Sequence, residues 1–286
     1  SAFYREMRDM LQTQNFQDAY PLSYTSFNNI DFGTVKGFTF ALNMIRMRNL
    51  RMSASYTIQF ATGTGSSATS SRNAVNNLEG FSAIRNLLPL DFDQRHRISG
   101  NIDYRFFGPE NKGPAITIGE KTIYPLSNAG INGTFYLGSG TPYSVNSLPN
   151  AADVQGGINQ SIQLAGTPNG SRLPWQWRFD LKIDKDIMLG GGEKSNAEGQ
   201  TVKKREYAIN VYLLMLNALN AQNVLGVYKT TGLPTDDGYL ATGVGQQAVA
   251  QSINPDAFTY LYTLKMQTPF NYSLPRRIRL GIQFNF

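Results

Sequence analysis

Hydrophobic side chains recur at every second position in four runs of nine to eleven residues. At the end of the chain, Ile278, Leu280, Ile282, Phe284 and Phe286 alternate with Arg277, Arg279, Gly281, Gln283 and Asn285. Leu50, Met52, Ala54, Tyr56, Ile58 and Phe60 alternate with Arg51, Ser53, Ser55, Thr57 and Gln59. Ile98, Ile102, Tyr104 and Phe106 oppose Arg97, Ser99, Asn101, Asp103 and Arg105. Trp175, Trp177, Phe179, Leu181 and Ile183 oppose Gln176, Arg178, Asp180 and Lys182. Period two is the signature of a strand with one apolar and one polar face. Weaker runs at Phe3–Thr13, Phe38–Met44, Ile131–Gly140 and Tyr207–Asn217 bring the expected total to eight strands. The longest unbroken apolar run, Val211 to Leu216, is far short of the roughly 18 residues of a membrane-spanning helix.

The connections divide into two kinds. Arg48-Asn49 reads as a tight turn, and segments 108–130 and 189–204 are moderate, polar and Gly-rich. Four others are long and rich in Ser, Asn, Gly and Gln: 15–32, 64–94, 145–172 and 219–274. Loops of that length are unusual in a compact domain unless they carry function. They fall on alternate connections, so they emerge from one end of the strands. Within the last of them, Asn254-Pro255-Asp256 is a capping signal for a short helix over 257–265.

A soluble antiparallel sandwich also alternates. Three features favour a transmembrane barrel instead. The strands have the roughly 9–11 residues needed to cross a bilayer at a tilt, against the usual 5–6. Aromatics sit near the ends of the apolar faces, as in interfacial girdles. The other faces carry full charges, with Arg97, Asp103, Arg105, Arg178, Asp180, Lys182, Arg277, Arg279 and Gln283 expected to look into a wet lumen. The expected fold is therefore all-β, an antiparallel transmembrane β-barrel of the bacterial outer-membrane type. The terminal Leu280, Ile282, Phe284 and Phe286 resemble the signal by which such barrels reach their assembly machinery, which places the long loops outside the cell.

A narrower resemblance rests on several motifs taken in order. They are Phe3-Tyr4-Arg5-Glu6-Met7-Arg8-Asp9, Asn29-Ile30-Asp31-Phe32-Gly33-Thr34-Val35-Lys36-Gly37, Ala54-Ser55-Tyr56-Thr57-Ile58-Gln59-Phe60 and Leu90-Asp91-Phe92-Asp93-Gln94-Arg95-His96-Arg97. Gly138-Ser139-Gly140-Thr141-Pro142-Tyr143, Phe179-Asp180-Leu181-Lys182-Ile183-Asp184-Lys185 and the stretch Asn210-Val211-Tyr212 to Asn223-Val224 complete the set. Together they resemble the late barrel of TonB-dependent receptors, SusC-like ones and those with a carboxypeptidase-regulatory-like extension in particular. The resemblance implies import of a large nutrient (a glycan, peptide or chelate), a SusD-like surface lipoprotein partner and coupling to TonB. That family has a plug, a TonB box and about 22 strands; eight strands without a plug imply the C-terminal part of a longer barrel. Two other readings remain: a receptor-like subunit of a larger outer-membrane assembly or secretion complex, and a self-contained eight-stranded barrel acting as adhesin or anchor.

Composition narrows the chemistry. Of 286 residues only 16% are charged, against roughly 25% in ordinary soluble domains, and the net charge is +6. The cations are dispersed over strands rather than gathered in a stripe, which argues against nucleic acid and fits lipopolysaccharide phosphates or lumen carboxylates, as with Asp180 between Arg178 and Lys182. There is no Cys and one His, His96. No nucleophile or orienting acid can be assigned to it, so an interfacial hydrogen-bonding role is expected and no enzyme activity. Asp91 with Asp93, and Asp236 with Asp237, lack the ligand spacing of a calcium loop and read as turn caps; no metal or cofactor is expected. Gly63-Thr64-Gly65-Ser66-Ser67 lacks the Gly-Lys-Ser/Thr of a phosphate loop and reads as a strand exit. Ser1 opens directly into Phe3-Tyr4, which reads as ordered structure, so no leader peptide is expected in this stretch. Ligand contact is expected from the loops, above all Tyr228, Tyr239, Phe258, Tyr260 and Tyr262, which suit either stacking on a ligand or packing into a lid.

Overall fold

The structure is a computed structural model that describes residues 1–16, 22, 24–69, 86–107, 112–147, 149, 164–190, 193–195, 201–203 and 207–285. Eight long strands dominate it: β1 (Ala2–Phe16), β2 (Tyr24–Met47), β3 (Leu50–Gly63), β4 (His96–Arg105), β5 (Ala129–Gly138), β6 (Gln176–Gly190), β7 (Tyr207–Leu216) and β8 (Arg277–Asn285). They pair antiparallel in chain order from β1 to β8, with a short piece, Leu88–Pro89, added to β3. Among the described residues β1 and β8 do not pair with each other, so the sheet has two edges. The fold is all-β, and among the described residues no helix is long and apolar enough to cross a membrane.

The alternation dictates the register. Tyr56 pairs with Ile98, Ile98 with Leu137, and Leu137 with Trp177, keeping apolar beside apolar. One register later Ser55, Ser99, Tyr136 and Arg178 line the opposite face. A slip of one residue would exchange the faces throughout, so the pattern specifies the pairing strongly. Among the described residues nothing covers the apolar face: Leu280 is 75% and Ile282 73% exposed, and Phe38, Phe40, Leu42, Ile102, Ile131, Trp177 and Ile183 are also open. A contiguous apolar wall of that extent is far beyond the patches normal on a monomer in water.

Aromatic rings border this wall toward both ends. On the loop side Phe40 of β2, Tyr56 of β3, His96 of β4 and Trp175, just ahead of β6, form a continuous stack with centroid spacings of 6.3, 6.2 and 5.6 Å. On the turn side Tyr104 meets Phe106 edge-on at 5.1 Å, and Tyr207 stacks on Phe284 at 6.3 Å.

The two ends differ as expected, with one correction. Arg48-Asn49 is the tight turn, and Arg48 takes a left-handed φ of 52° there. Small hairpins, Ile116–Ile118 with Lys121–Ile123 and Glu193–Ser195 with Thr201–Lys203, occupy the moderate connections. Of the segment 15–32, residues 15–16 and 24–32 are strand rather than loop. Phe16 pairs with Tyr24 and Gln14 with Ser26, so β1 and β2 continue as a hairpin well past the apolar wall. Residues 24–29 are exposed at every position, so they show no alternation; cross-strand bonds hold the projection, Asn28 donating to Gln14 at 2.8 Å and the buried Gln12 to Asp31 at 2.7 Å.

Candidate functional site

The polar face of the sheet and the loop cluster above it form the candidate site. By register, Arg97, Asp103, Arg105, Arg178, Asp180, Lys182, Arg277, Arg279 and Gln283 all stand on the polar face. Half of their charges, those of Asp103, Arg105, Arg178 and Asp180, are matched by ion pairs, and Arg97 lies over the Tyr136 ring at 5.7 Å. Arg105 reaches over β5 to β6, 2.8 Å from Asp184 and 3.3 Å from Asp186, and Asn210 of β7 donates to both carboxylates. Arg46 pairs with Asp103, and Asn101, Asn132 and Thr134 bond in a row beside it. Lys182 departs from its expected partner. Asp180 is taken by Arg178 and by the Asn217 backbone N–H at 2.8 Å, while the Lys182 ammonium lies over the Tyr212 ring at 5.3 Å. Side chains separated by two along one strand share a face, and Arg178 has the planar fork that fits a carboxylate best. Gln283 donates to Asn285 at 3.2 Å. Arg277 and Arg279 lie exposed on the edge strand.

At the loop end, residues 219–274 fold into a small structure of their own. Helix α1 (Gly243–Gln251) is capped by Thr242, whose hydroxyl accepts from the Gly245 N–H at 3.0 Å. Its Gly-rich start hid it from sequence reading, yet Gly245 is needed: a side chain there would run into the Tyr239 carbonyl. Helix α2 (Pro255–Met266) contains the expected 257–265 and has the expected cap, Asn254 accepting from the Ala257 N–H at 3.1 Å. Asp256 in its first turn and Lys265 in its last suit the helix dipole.

The aromatic set of this loop packs on itself. Tyr239 and Tyr262 are buried and stack at 5.3 Å, Phe258 adds to Tyr262 at 6.2 Å, and Met266 closes the cluster. The Tyr228 hydroxyl donates to the Met266 carbonyl at 2.8 Å. Asp237 accepts from the Tyr262 hydroxyl at 2.5 Å and from the Tyr239 N–H at 3.0 Å. Burial, then the neighbouring Asp237 carboxylate, pushes the Tyr262 hydroxyl well above the ordinary tyrosine range. Of the five aromatics singled out from sequence, four therefore form a lid core and Tyr260, 68% exposed, is open to a ligand.

The remaining candidates resolve into structural roles. Asp93 is 2% exposed; it accepts from the Ala61 N–H at 2.8 Å and pairs with Arg172. Asp91 accepts from the Asn169 side chain at 2.6 Å. Asp236 accepts from the Gly238 N–H at 2.8 Å, a turn cap. Among the described residues no three His, Cys, Asp or Glu side chains converge as metal ligands do. Thr64 donates to Asp31 at 3.0 Å, and Ser66 accepts from the Asp91 N–H at 2.9 Å, so the Gly-Ser stretch is a pinned strand exit. His96 sits within the loop-side aromatic stack, its Nδ1 2.9 Å from the Tyr56 hydroxyl. Leu280, Ile282 and Phe284 line the apolar face of β8, and Phe286 lies outside the described residues, as do 70–85 and 150–163 within two of the long loops.

Three residues went unnoticed in the sequence. Leu90, 1% exposed, folds back onto the glycines of β2 and β3, Gly33 and Gly63. Asn217 accepts from the Ala221 N–H and donates to the Ala221 and Leu274 carbonyls. Asn223 exchanges bonds with the Trp177 backbone on both its N–H and C=O. Asn223 ties the lid to β6, and Asn217, just past β7, ties the two ends of the lid together at Ala221 and Leu274; their recurrence in the Asn217–Asn223 stretch was the available signal.

No family model matches this sequence, and no curated protein matches it. One similar solved structure is the outer membrane transporter YddB from Escherichia coli, with 12% sequence identity, a TM-score of 0.42, and coverage of 77% of this chain. The chain spans about a quarter of the length of that transporter, 26% of it.

Proposed function

We propose that this chain is wall and external lid of an outer-membrane β-barrel receptor or transporter, working in the manner of the TonB-dependent, SusC-like receptors its motifs resemble. The observation that carries the reading is the uncovered apolar face between two aromatic borders. From His96 to Phe106 is ten steps of about 3.3 Å, or about 33 Å along the strand. At a tilt of about 40° that length covers about 25 Å, the height of the apolar band of outer-membrane barrels. The charged face then lines a watery interior, where paired Arg and Asp side chains are affordable. Unpaired strand edges in hydrocarbon cost several kcal/mol per backbone group. The two free edges therefore support a larger barrel in which β1 and β8 meet further strands, rather than a self-contained eight-stranded one.

In this reading the nutrient passes the loop cluster first, with Tyr260 and the polar face offering contacts, and a surface lipoprotein covers the lid from outside. Leu280, Ile282, Phe284 and Phe286 serve barrel assembly. The chain performs no chemistry of its own. Purification with and without detergent tests the core of the proposal, and the intact mass of the native polypeptide tests the larger barrel. A chain that stays folded and monodisperse in plain buffer would sink it.

A further inference from the structure

One depression interrupts the apolar face. It holds about 520 Å³ and is lined mainly by Ala2, Tyr4, Lys36, Phe38, Ile58 and Phe60. These residues form two rows across β1, β2 and β3: Ala2, Phe38 and Ile58 in one, Tyr4, Lys36 and Phe60 in the next. Polarity rises toward the loop end. The first row is apolar, the second introduces Lys36, and a third carries Thr34 and Thr62, whose hydroxyls lie 3.3 Å apart. A second cation reaches the same corner, since the Arg95 guanidinium lies over the Phe60 ring at 5.5 Å from its centroid. The nearest carboxylates are engaged: Glu6, opposite Thr34, holds Arg8 at 2.9 Å, and Asp93, 3.7 Å from Arg95, is paired with Arg172.

We propose that this depression binds a phosphorylated lipid of the surrounding leaflet, with an acyl chain between Ala2, Phe38 and Ile58 and the phosphate between Lys36 and Arg95. The proposal rests on the membrane reading above. A lysine on a lipid-facing wall is costly in the middle of the bilayer and favourable where its ammonium reaches the headgroup level. Lys36 stands one row from the hydroxyl-bearing threonines, at such a level. Two cations flanking one aromatic ring give an anion two charge-assisted donors, and the trough beneath them gives its chain an apolar bed.

The test uses the full chain in detergent, with lipid retention read by native mass spectrometry. The probes are lipid A, its dephosphorylated form, and inorganic phosphate. Retention of one lipid A per chain is expected, falling about thirtyfold for the dephosphorylated form, as the loss of two near-surface charge contacts predicts. Lys36→Gln with Arg95→Gln should reproduce that fall. Ile58→Trp, which fills the trough and leaves both cations, should abolish retention, and Lys36→Gln alone serves if the double variant does not fold. Inorganic phosphate should not be retained. Equal retention of both lipid forms, full retention by the charge variants, or retention of phosphate alone would overturn the site. A chain that needs no detergent overturns the membrane reading instead, so the two failures are distinguishable.

Discussion

Arg105 and Asp184 meet at 2.8 Å although an entire strand, β5, runs between them. The crossing depends on Gly130, where a side chain would come within 2.9 Å of the guanidinium. Asp184 is 3% exposed, so its charge relies on Arg105 and on Asn210. Removing one member of a buried pair leaves an uncompensated charge, at a cost of about 3 kcal/mol. Arg105→Ala and Gly130→Val should each lower the unfolding free energy, read from urea titration in lipid vesicles, by that order. Adding Asp184→Asn to Arg105→Ala should recover much of the loss; a double variant as weak as the sum of the singles would show that the pair is not coupled.

The two faces should respond oppositely to the same new charge. Ile102 stands on the apolar face midway between the aromatic borders, and Asn101 is its neighbour on the polar face. Ile102→Arg is expected to destabilise the membrane-inserted fold by about 2–4 kcal/mol. Asn101→Arg should change it far less. Reversible folding into vesicles reads both, and equal penalties would mean that the apolar face does not meet lipid.

How much of this was legible beforehand follows the same physics. β4, β6 and β8 were plain in the sequence because lipid-type and water-type surroundings on their two faces force strict alternation. The strand residues within 15–32 were not, because those over 24–29, Asn28 among them, are exposed at every position and no period results. Ion pairs along one strand, such as Arg178 with Asp180, are visible as spacing. Asp93 with Arg172 is not, since 79 residues separate them and only the folded loops bring them together. The aromatic richness of 219–274 was evident, but whether Tyr239 and Tyr262 face a ligand or each other depends on helix α1, whose glycines gave no helical signal.

Asp93 is expected to hold two loops at once, the approach to β4 and the strand piece at Ser171–Arg172. Asp93→Ala removes the acceptor of the Ala61 N–H and the partner of Arg172 together, with an expected loss of about 3–5 kcal/mol for a buried pair broken on one side. Limited proteolysis of the folded protein should then cut within 64–94 faster than in the wild type. Unchanged cleavage there would assign the loop order to other contacts.

The lid should loosen in alkali. The Tyr262 hydroxyl is held protonated in the fold above its ordinary value of 10.0, so its contribution is complete below about pH 10 and declines as pH rises beyond that. One proton of difference corresponds to at most about 1.4 kcal/mol per pH unit. Hydrogen exchange over residues 239–266 should rise above pH 10 in the wild type. Tyr262→Phe, which has no proton to lose, should show a smaller rise, and identical profiles would exclude Tyr262 as the cause.

The stacked rings of the lid form a nucleus separate from the sheet, joined to it mainly by the backbone clasps of Asn217 and Asn223. Such a narrow seam isolates two selective pressures. On the proposed function, exposed positions on the helices, Tyr260 among them, are free to drift with the ligand, while the strands stay bound to the chemistry of the bilayer. Divergence among related chains should therefore concentrate between the second clasp and Leu274, and spare the clasps themselves.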